Sequence, residues 1–312
     1  MHPTFSFEAS LRSLLVVLAL AIPALAQNAS PPSSGGVPAG SASQASDEAV
    51  QNPVASLISV PLQNNTNFAY GSFNRTQDVL NIQPVIPFNI SKDWMIIARI
   101  IQPVVWQPYP NQNTGGEFGL GDMVPTFFLS PRKPEKVIWG IGPAFTFPTA
   151  TNDILGQGKL SLGPSVVVLA QPGKWTLGDL VNNVWSVAGS GSRPPVNQML
   201  NQYFITYQIK KGWYVTSSPI ITANWRASSG NVWTVPFGGG VGRVMKLGFQ
   251  PVNLLAEFFG NAVYPAGTPS WSMRLAIVFL FPKLTPEEKK MLMEEQLKKL
   301  EQEQQKNAPE KK

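Results

Sequence analysis

The chain has 312 residues, 43% hydrophobic and only 13% charged, and its 26 glycines, 29 prolines and nine tryptophans are odd for a water-soluble enzyme of this length. Low charge with many aromatics suits a wall that faces lipid. The absence of cysteine removes disulfides, thiolate metal sites, catalytic thiols and a lipidated N-terminal cysteine together. The formal charge of +6 hints at anionic partners, but eight lysines lie beyond Phe281 among seven glutamates and no basic stripe is present, so no nucleic-acid partner is implied.

The opening residues carry Arg12, an apolar run from Leu14 to Ile22, and Ala24-Leu25-Ala26 ahead of Gln27. That pattern assigns residues 1–26 to a secretory signal peptide cleaved after Ala26. Residues 27–54 are Ala, Ser, Gly, Pro, Gln and Asn with few large apolar side chains, a leader that cannot bury a core and is expected to be disordered. No later stretch approaches the ~18 to 20 unbroken apolar residues of a membrane-spanning helix, so a chain that spans a membrane here crosses it with strands.

Residues 55–283 change to segments rich in Val, Ile, Phe, Tyr and Trp, separated by turn clusters. Twelve strands are expected near 55–63, 78–88, 94–106, 117–129, 137–147, 159–170, 175–187, 199–209, 212–224, 232–245, 249–261 and 270–281. Tight links (89–93, 131–136, 172–174, 210–211, 246–248) alternate with longer ones (64–77, 107–116, 148–158, 188–198, 225–231, 262–269). Short turns at one rim, longer loops at the other and an even strand number describe an antiparallel transmembrane β-barrel, all-β in class, in a Gram-negative outer membrane with both termini periplasmic. A soluble sandwich gives no reason for that alternation.

The face pattern is clearest in the eighth and ninth segments. Tyr203, Ile205, Tyr207 and Ile209 oppose Gln202, Thr206, Gln208 and Lys210; Trp213, Val215, Ile221 and Trp225 oppose Thr216, Ser218, Thr222 and Asn224. Trp213 and Trp225 stand at opposite ends of one strand, as members of two aromatic girdles would; core tryptophans of a soluble sheet are the alternative. Pro143, Pro164, Pro219, Pro236 and Pro251 fall inside expected strands and mark bulges or kinks. Gly238-Gly239-Gly240 with Gly242 marks a close approach or bend rather than a phosphate loop, because no helix follows. Asp122, Asp153 and Asp179 are too dispersed for a metal site and fit solvated turns or loops.

The last segment, Trp271 to Phe281, puts Leu275, Ile277, Phe279 and Phe281 on one face, and Phe279 and Phe281 join the girdle candidates. Arg274, Ala276, Phe279 and Phe281 resemble the terminal insertion signal of outer-membrane barrels, which implies lipid and the barrel insertion machinery as partners. Beyond it, Thr285-Pro286-Glu287-Glu288 opens a charged helical tail over 284–312 with Glu294–Lys298 and Glu295–Lys299 at helical spacing. This C-terminal periplasmic helix is either a solvated tail or a docking element for a periplasmic partner.

Several segments together resemble the bacterial outer-membrane family described as a phenol-degradation meta-pathway protein and often mislabelled neuromedin U. They are FTFPTATND (Phe145 to Asp153), GKLSLGPSVVVL (Gly158 to Leu169), LVNNVWSVAG (Leu180 to Gly189), YVTSSPIITANW (Tyr214 to Trp225), WTVPFGGGVGRV (Trp233 to Val244), QPVN (Gln250 to Asn253) and FLFPK (Phe279 to Lys283). The resemblance spans roughly 139–283. It implies a porin-like outer-membrane barrel with a transport role and no catalytic residues. The long tail and the Ala/Ser/Pro leader depart from the family's pattern.

Alternation names Arg99, Gln202, Lys210, Asn224, Arg226, Asn253, Glu257 and Arg274 as lumen-lining candidates, with Glu257 and Arg274 on strands joined by one loop and able to face each other. Such residues either select solutes along a conduit or pair internally and fill the lumen. Twelve strands lie between a filled eight-stranded barrel and a wide ~16-stranded porin, which allows a narrow pore. Small inward residues (Gly140, Gly142, Ala144, Ser161, Gly163, Ser165) favour a conduit for passive transport of small molecules over a filled barrel, and the family resemblance implies hydrophobic or aromatic ones among them. The alternative is a structural barrel with a filled lumen whose tail docks a partner. A hydrolase built on the barrel rim would need a His general base, and the one histidine, His2, leaves with the signal peptide, so no enzyme and no cofactor are expected.

Overall fold

The computed structural model describes residues 57–133, 136–248 and 250–282. The expected signal peptide, leader and helical tail lie outside the described residues. Alternation of apolar and polar side chains commits the rest to strands. They are β1 (Leu57–Tyr70), β2 (Arg75–Ile82), β3 (Val85–Asn89), β4 (Trp94–Pro108), β5 (Gly116–Leu120), β6 (Val124–Pro131), β7 (Val137–Thr146), β8 (Lys159–Ala170), β9 (Trp175–Gly189), β10 (Asn197–Gln208), β11 (Trp213–Ser217), β12 (Ile220–Asn224), β13 (Trp233–Leu247), β14 (Gln250–Val263) and β15 (Trp271–Pro282).

Three pairs, β2/β3, β5/β6 and β11/β12, are halves of single strands, so the wall is a closed antiparallel barrel of twelve strands. Closure is made by β1 against β15, in register from Leu57 opposite Pro282 to Phe68 opposite Trp271. Proline causes two of the interruptions. Pro84 and Pro219 have no N–H to donate, so pairing lapses and then resumes in the same register on both sides. Pro143 and Pro164 sit directly opposite each other between β7 and β8. Their missing N–H groups fall on the outer neighbours, where the β6–β7 and β8–β9 ladders are interrupted. Pro236 stands at a register shift.

The glycine run in β13 is a close approach. A Cβ on Gly240 would lie 1.8 Å from the Ala256 carbonyl oxygen, and one on Gly242 would lie 2.1 Å from the Tyr214 ring. The expected long connection over 64–77 is instead strand. Asn64, Thr66 and Asn67 looked like loop residues, but their side chains bond across the ladder to Asp78 and Gln77, so β1 and β2 continue to a hairpin at 71–74.

The interior is divided along the barrel axis. Toward the short turns it is packed with apolar side chains: Met95, Ile97, Phe128, Leu180, Leu200 and Ile220 form one cluster, and Leu57, Val244, Leu255, Val278 and Leu280 another around Tyr214. Toward the longer loops more of the inward positions are Asn, Gln and Thr, although Ser59, Ser130, Thr176 and Thr206 are buried nearer the short turns and Val105, Val184 and Val196 nearer the loops.

Candidate functional site

The central feature of the lumen is a buried ion pair at mid-barrel. Glu257 and Arg274 are register partners on β14 and β15, and Arg274 Nη1 lies 3.0 Å from Glu257 Oε2. Ser218, at the proline break between β11 and β12, donates its backbone N–H to Glu257 Oε1 at 3.0 Å and its hydroxyl to the carboxylate at 2.8 Å. Arg274 in turn donates to the Ser218 carbonyl at 2.9 Å and to Asn65 Oδ1 at 3.1 Å, with its guanidinium 4.8 Å from the centre of the Phe259 ring. Backbone groups freed by Pro219 are thereby satisfied by a charge pair, and the charges are consumed internally.

The other inward candidates fall around this centre. Arg99 is buried and donates to Gln83 Oε1 at 3.2 Å. Asn253 is buried and accepts from the Tyr214 hydroxyl at 2.8 Å. Gln202 is buried on the inner face of β10, its Nε2 without a protein hydrogen-bond partner. Asn224 ends β12, where its side chain accepts from the Arg226 backbone at 3.0 Å.

Two candidates do not line the barrel wall as expected. β10 ends at Gln208, so the alternation stops before Lys210, which is exposed in the turn between β10 and β11. Arg226 lies past the end of β12 in the loop leading to β13 and edges the outer vestibule instead. On the outside, Trp213 and Trp225 stand at opposite ends of β11/β12 with exposed rings, Phe281 is exposed near the end of β15, and Phe279 shares its outward face.

Above the ion pair lies a small cavity that opens toward the loop end. Val79, Val105, Leu155, Ile220 and Phe259 give it an apolar wall, and Asn65, Gln77, Thr222 and Asn261 give it uncharged hydrogen-bonding groups. Gly156, Gln157, Thr222, Thr234 and Thr268 border both this cavity and a larger outer vestibule. The two spaces therefore adjoin, and the inner one reaches down to Arg274.

The segment 147–158 folds inward over these spaces. Leu155 is buried against Val105 of β4, and Gln157 donates to Gln198 on β10 at 2.7 Å, so the loop reaches across the barrel mouth. Two anchors hold it. Asp122, in the break between β5 and β6, accepts the backbone N–H groups of Ala150 at 3.2 Å and Gln157 at 2.6 Å. Arg193, in the loop after β9, donates to the carbonyls of Asp153 at 2.6 Å, Gln157 at 3.2 Å and Gly156.

Sequence reasoning missed Ser218, Tyr214, Asp122 and Arg193. Asp122 looked like turn solvation, yet it is buried and organises the loop. Asp179 was also expected in a turn or loop, but it sits within β9 on the exposed outer face, where its carboxylate accepts from Asn201 at 2.6 Å. Its parity with Trp175, Leu177 and Val181 was the available signal. Asp153 lies in the 147–158 loop as expected.

Among solved structures, the COG4313 outer membrane channel from Pseudomonas putida F1 shares this fold, with 16% identity over 73% of this chain and 96% of the channel at a TM-score of 0.57. More distant likenesses are the CymD monoaromatic hydrocarbon channel (8% identity, 76% of this chain, 91% of that chain, TM-score 0.43) and the outer membrane phospholipase A from Escherichia coli (12%, 73%, 97%, 0.39). No family model matches the chain, and no curated protein matches it either.

Proposed function

We propose that the chain is an outer-membrane β-barrel channel for passive passage of small, uncharged molecules, hydrophobic or aromatic ones included, with its short turns and both termini in the periplasm. The observation that carries this reading is the adjoining vestibule and cavity, at whose floor Glu257 and Arg274 neutralise one another. A site of apolar walls with a few uncharged hydrogen-bonding groups suits a small neutral molecule better than an ion. The fold shared with an outer membrane channel supports the reading, as do exposed tryptophans at both ends of the wall. The resemblance of the chain's segments to the phenol meta-pathway family is what adds aromatic molecules to the solute class. No enzymatic role is assigned.

The test is solute entry into liposomes containing the refolded full chain, comparing a neutral aromatic solute with a small ion of similar size. Faster entry of the neutral solute than in protein-free liposomes supports the proposal. A folded, inserted barrel that admits neither sinks it.

A second reading draws on the apolar packing of the short-turn half: a structural barrel with a filled lumen whose tail docks a periplasmic partner. It predicts that a chain ending at Lys283 keeps a folded barrel and loses a binding partner, with no solute entry in either form.

A further inference from the structure

Charge is unevenly distributed along the barrel axis. Among the described residues, eight basic side chains gather at the short-turn rim with Asp93 as the described carboxylate there, and Glu135 adjoins them in sequence; the loop end carries equal numbers of both signs. The pattern escapes a linear reading because the cations are divided among five separate turns.

Each of four turns places a lysine just outside a tryptophan. Lys92 precedes Trp94, Lys136 precedes Trp139, Lys174 precedes Trp175 and Lys211 precedes Trp213. All four lysines are exposed, and all four indoles face outward with 38–46% of their surface free. These tryptophans stand at or near the start of β4, β7, β9 and β11, alternate strands over half of the circumference, and Lys246 at the β13–β14 turn carries the cations further round. Arg243 adds a cation on the outer wall itself, 5.1 Å above the Trp213 ring, with its Nε lacking a protein partner.

We propose that this rim is an annular binding surface for the phosphate headgroups of anionic lipids in the leaflet it faces. The inference rests on the membrane-spanning reading above. Indole rings settle at the headgroup boundary, which puts the lysines one step outward, at the depth of the phosphates. A protein partner would engage one arc, whereas lipid surrounds the barrel and meets every turn. The chain's own tail is a poor occupant, because eight lysines beyond Phe281 offset its seven glutamates.

The experiment inserts the refolded full chain into phosphatidylcholine vesicles doped with phosphatidylglycerol and measures the motionally restricted fraction of spin-labelled phosphatidylglycerol against spin-labelled phosphatidylcholine. The expected preference for the anionic lipid is on the order of two- to fivefold, weakening as salt shortens the Debye length from ~10 Å at 0.1 M to ~3 Å at 1 M. Replacing Lys92, Lys174, Lys211 and Lys246 together by Gln should abolish most of it. Replacing Arg75 and Lys159 at the loop end by Gln should not.

An inserted barrel with no preference, or a rim variant that keeps it, overturns the inference and leaves the channel reading standing. Loss of the preference to millimolar inorganic phosphate identifies a free-anion site and also overturns it. So does capture of an acidic soluble protein by the rim without lipid preference. A chain that fails to insert, judged by protease protection, removes the membrane reading and this inference with it.

Discussion

Replacing Arg274 by Met tests the account of the lumen most directly. The change removes the ion pair to Glu257, the bonds to Ser218 and Asn65, and the contact with the Phe259 ring. Hydrogen bonds from a charged donor contribute ~1.5–3 kcal/mol each, but adding them to the ion pair counts the same contacts twice. Removing one partner of a buried pair costs ~3–5 kcal/mol, and that is the expected loss. Glu257→Gln should cost less, because an amide oxygen can still accept from Ser218. Combining the two should cost less than their sum, with a coupling of ~1–3 kcal/mol. The assay is equilibrium urea unfolding of the bilayer-inserted barrel, followed by the fluorescence of its nine tryptophans. A loss below ~1 kcal/mol for Arg274→Met, or strict additivity in the double variant, would refute the view that the charges are held by one another.

Phe128→Ala removes a side chain from the apolar packing of the short-turn half; it should cost ~3–5 kcal/mol in the same assay and raise small-ion conductance in planar bilayers, and an unchanged conductance would mean that this packing is not the barrier. The pair Asp122→Asn with Arg193→Gln should free the 147–158 loop and speed neutral-solute entry several-fold without shifting ion selectivity; entry rates equal to those of the parent would show that the loop does not restrict the path. Gly240→Val should lose the compact, heat-modifiable form on gels, since its Cβ would lie 1.8 Å from a carbonyl oxygen, whereas Gly191→Ala, with open space around it, should fold normally. Asp179→Leu should stabilise the inserted barrel by ~1 kcal/mol, because the carboxylate sits on the outer face ~10 Å above the level of Trp175; destabilisation would mean that something other than lipid meets it.

Strand number, antiparallel closure and the two rims were legible in the sequence because they depend on local signals: alternation, turn residues and connector length. The Glu257–Arg274 pairing was legible too, since two strands joined by one loop leave few registers. What escaped depends on chain segments far apart in sequence. Ser218 meets Glu257 only because Pro219 frees its backbone, and Asp122 meets Gln157 only because the loop folds inward. Polarity misled in both directions. Asn64, Thr66 and Asn67 looked like a loop but satisfy one another's partners across a ladder, and Asp179 looked like a turn residue though its strand parity pointed to the wall.

The axial division of the lumen constrains what can cross it. At the loop end, uncharged polar groups and a paired Glu257 and Arg274 offer hydrogen bonds, while Asp122 and Arg193 are bound to the backbone of the 147–158 loop. Beyond them, an ion would have to shed its water among Met95, Ile97, Phe128 and Leu180, at several kcal/mol even after relaxation. A solute with an apolar body meets no such penalty: it exchanges contacts with water for contacts with those same side chains, at ~25 cal/mol for each Å2 it buries. On the proposed function, the side chains that would block ions are thus the ones able to part around an apolar molecule, and the filled half of the barrel would act as a selectivity element for that solute class.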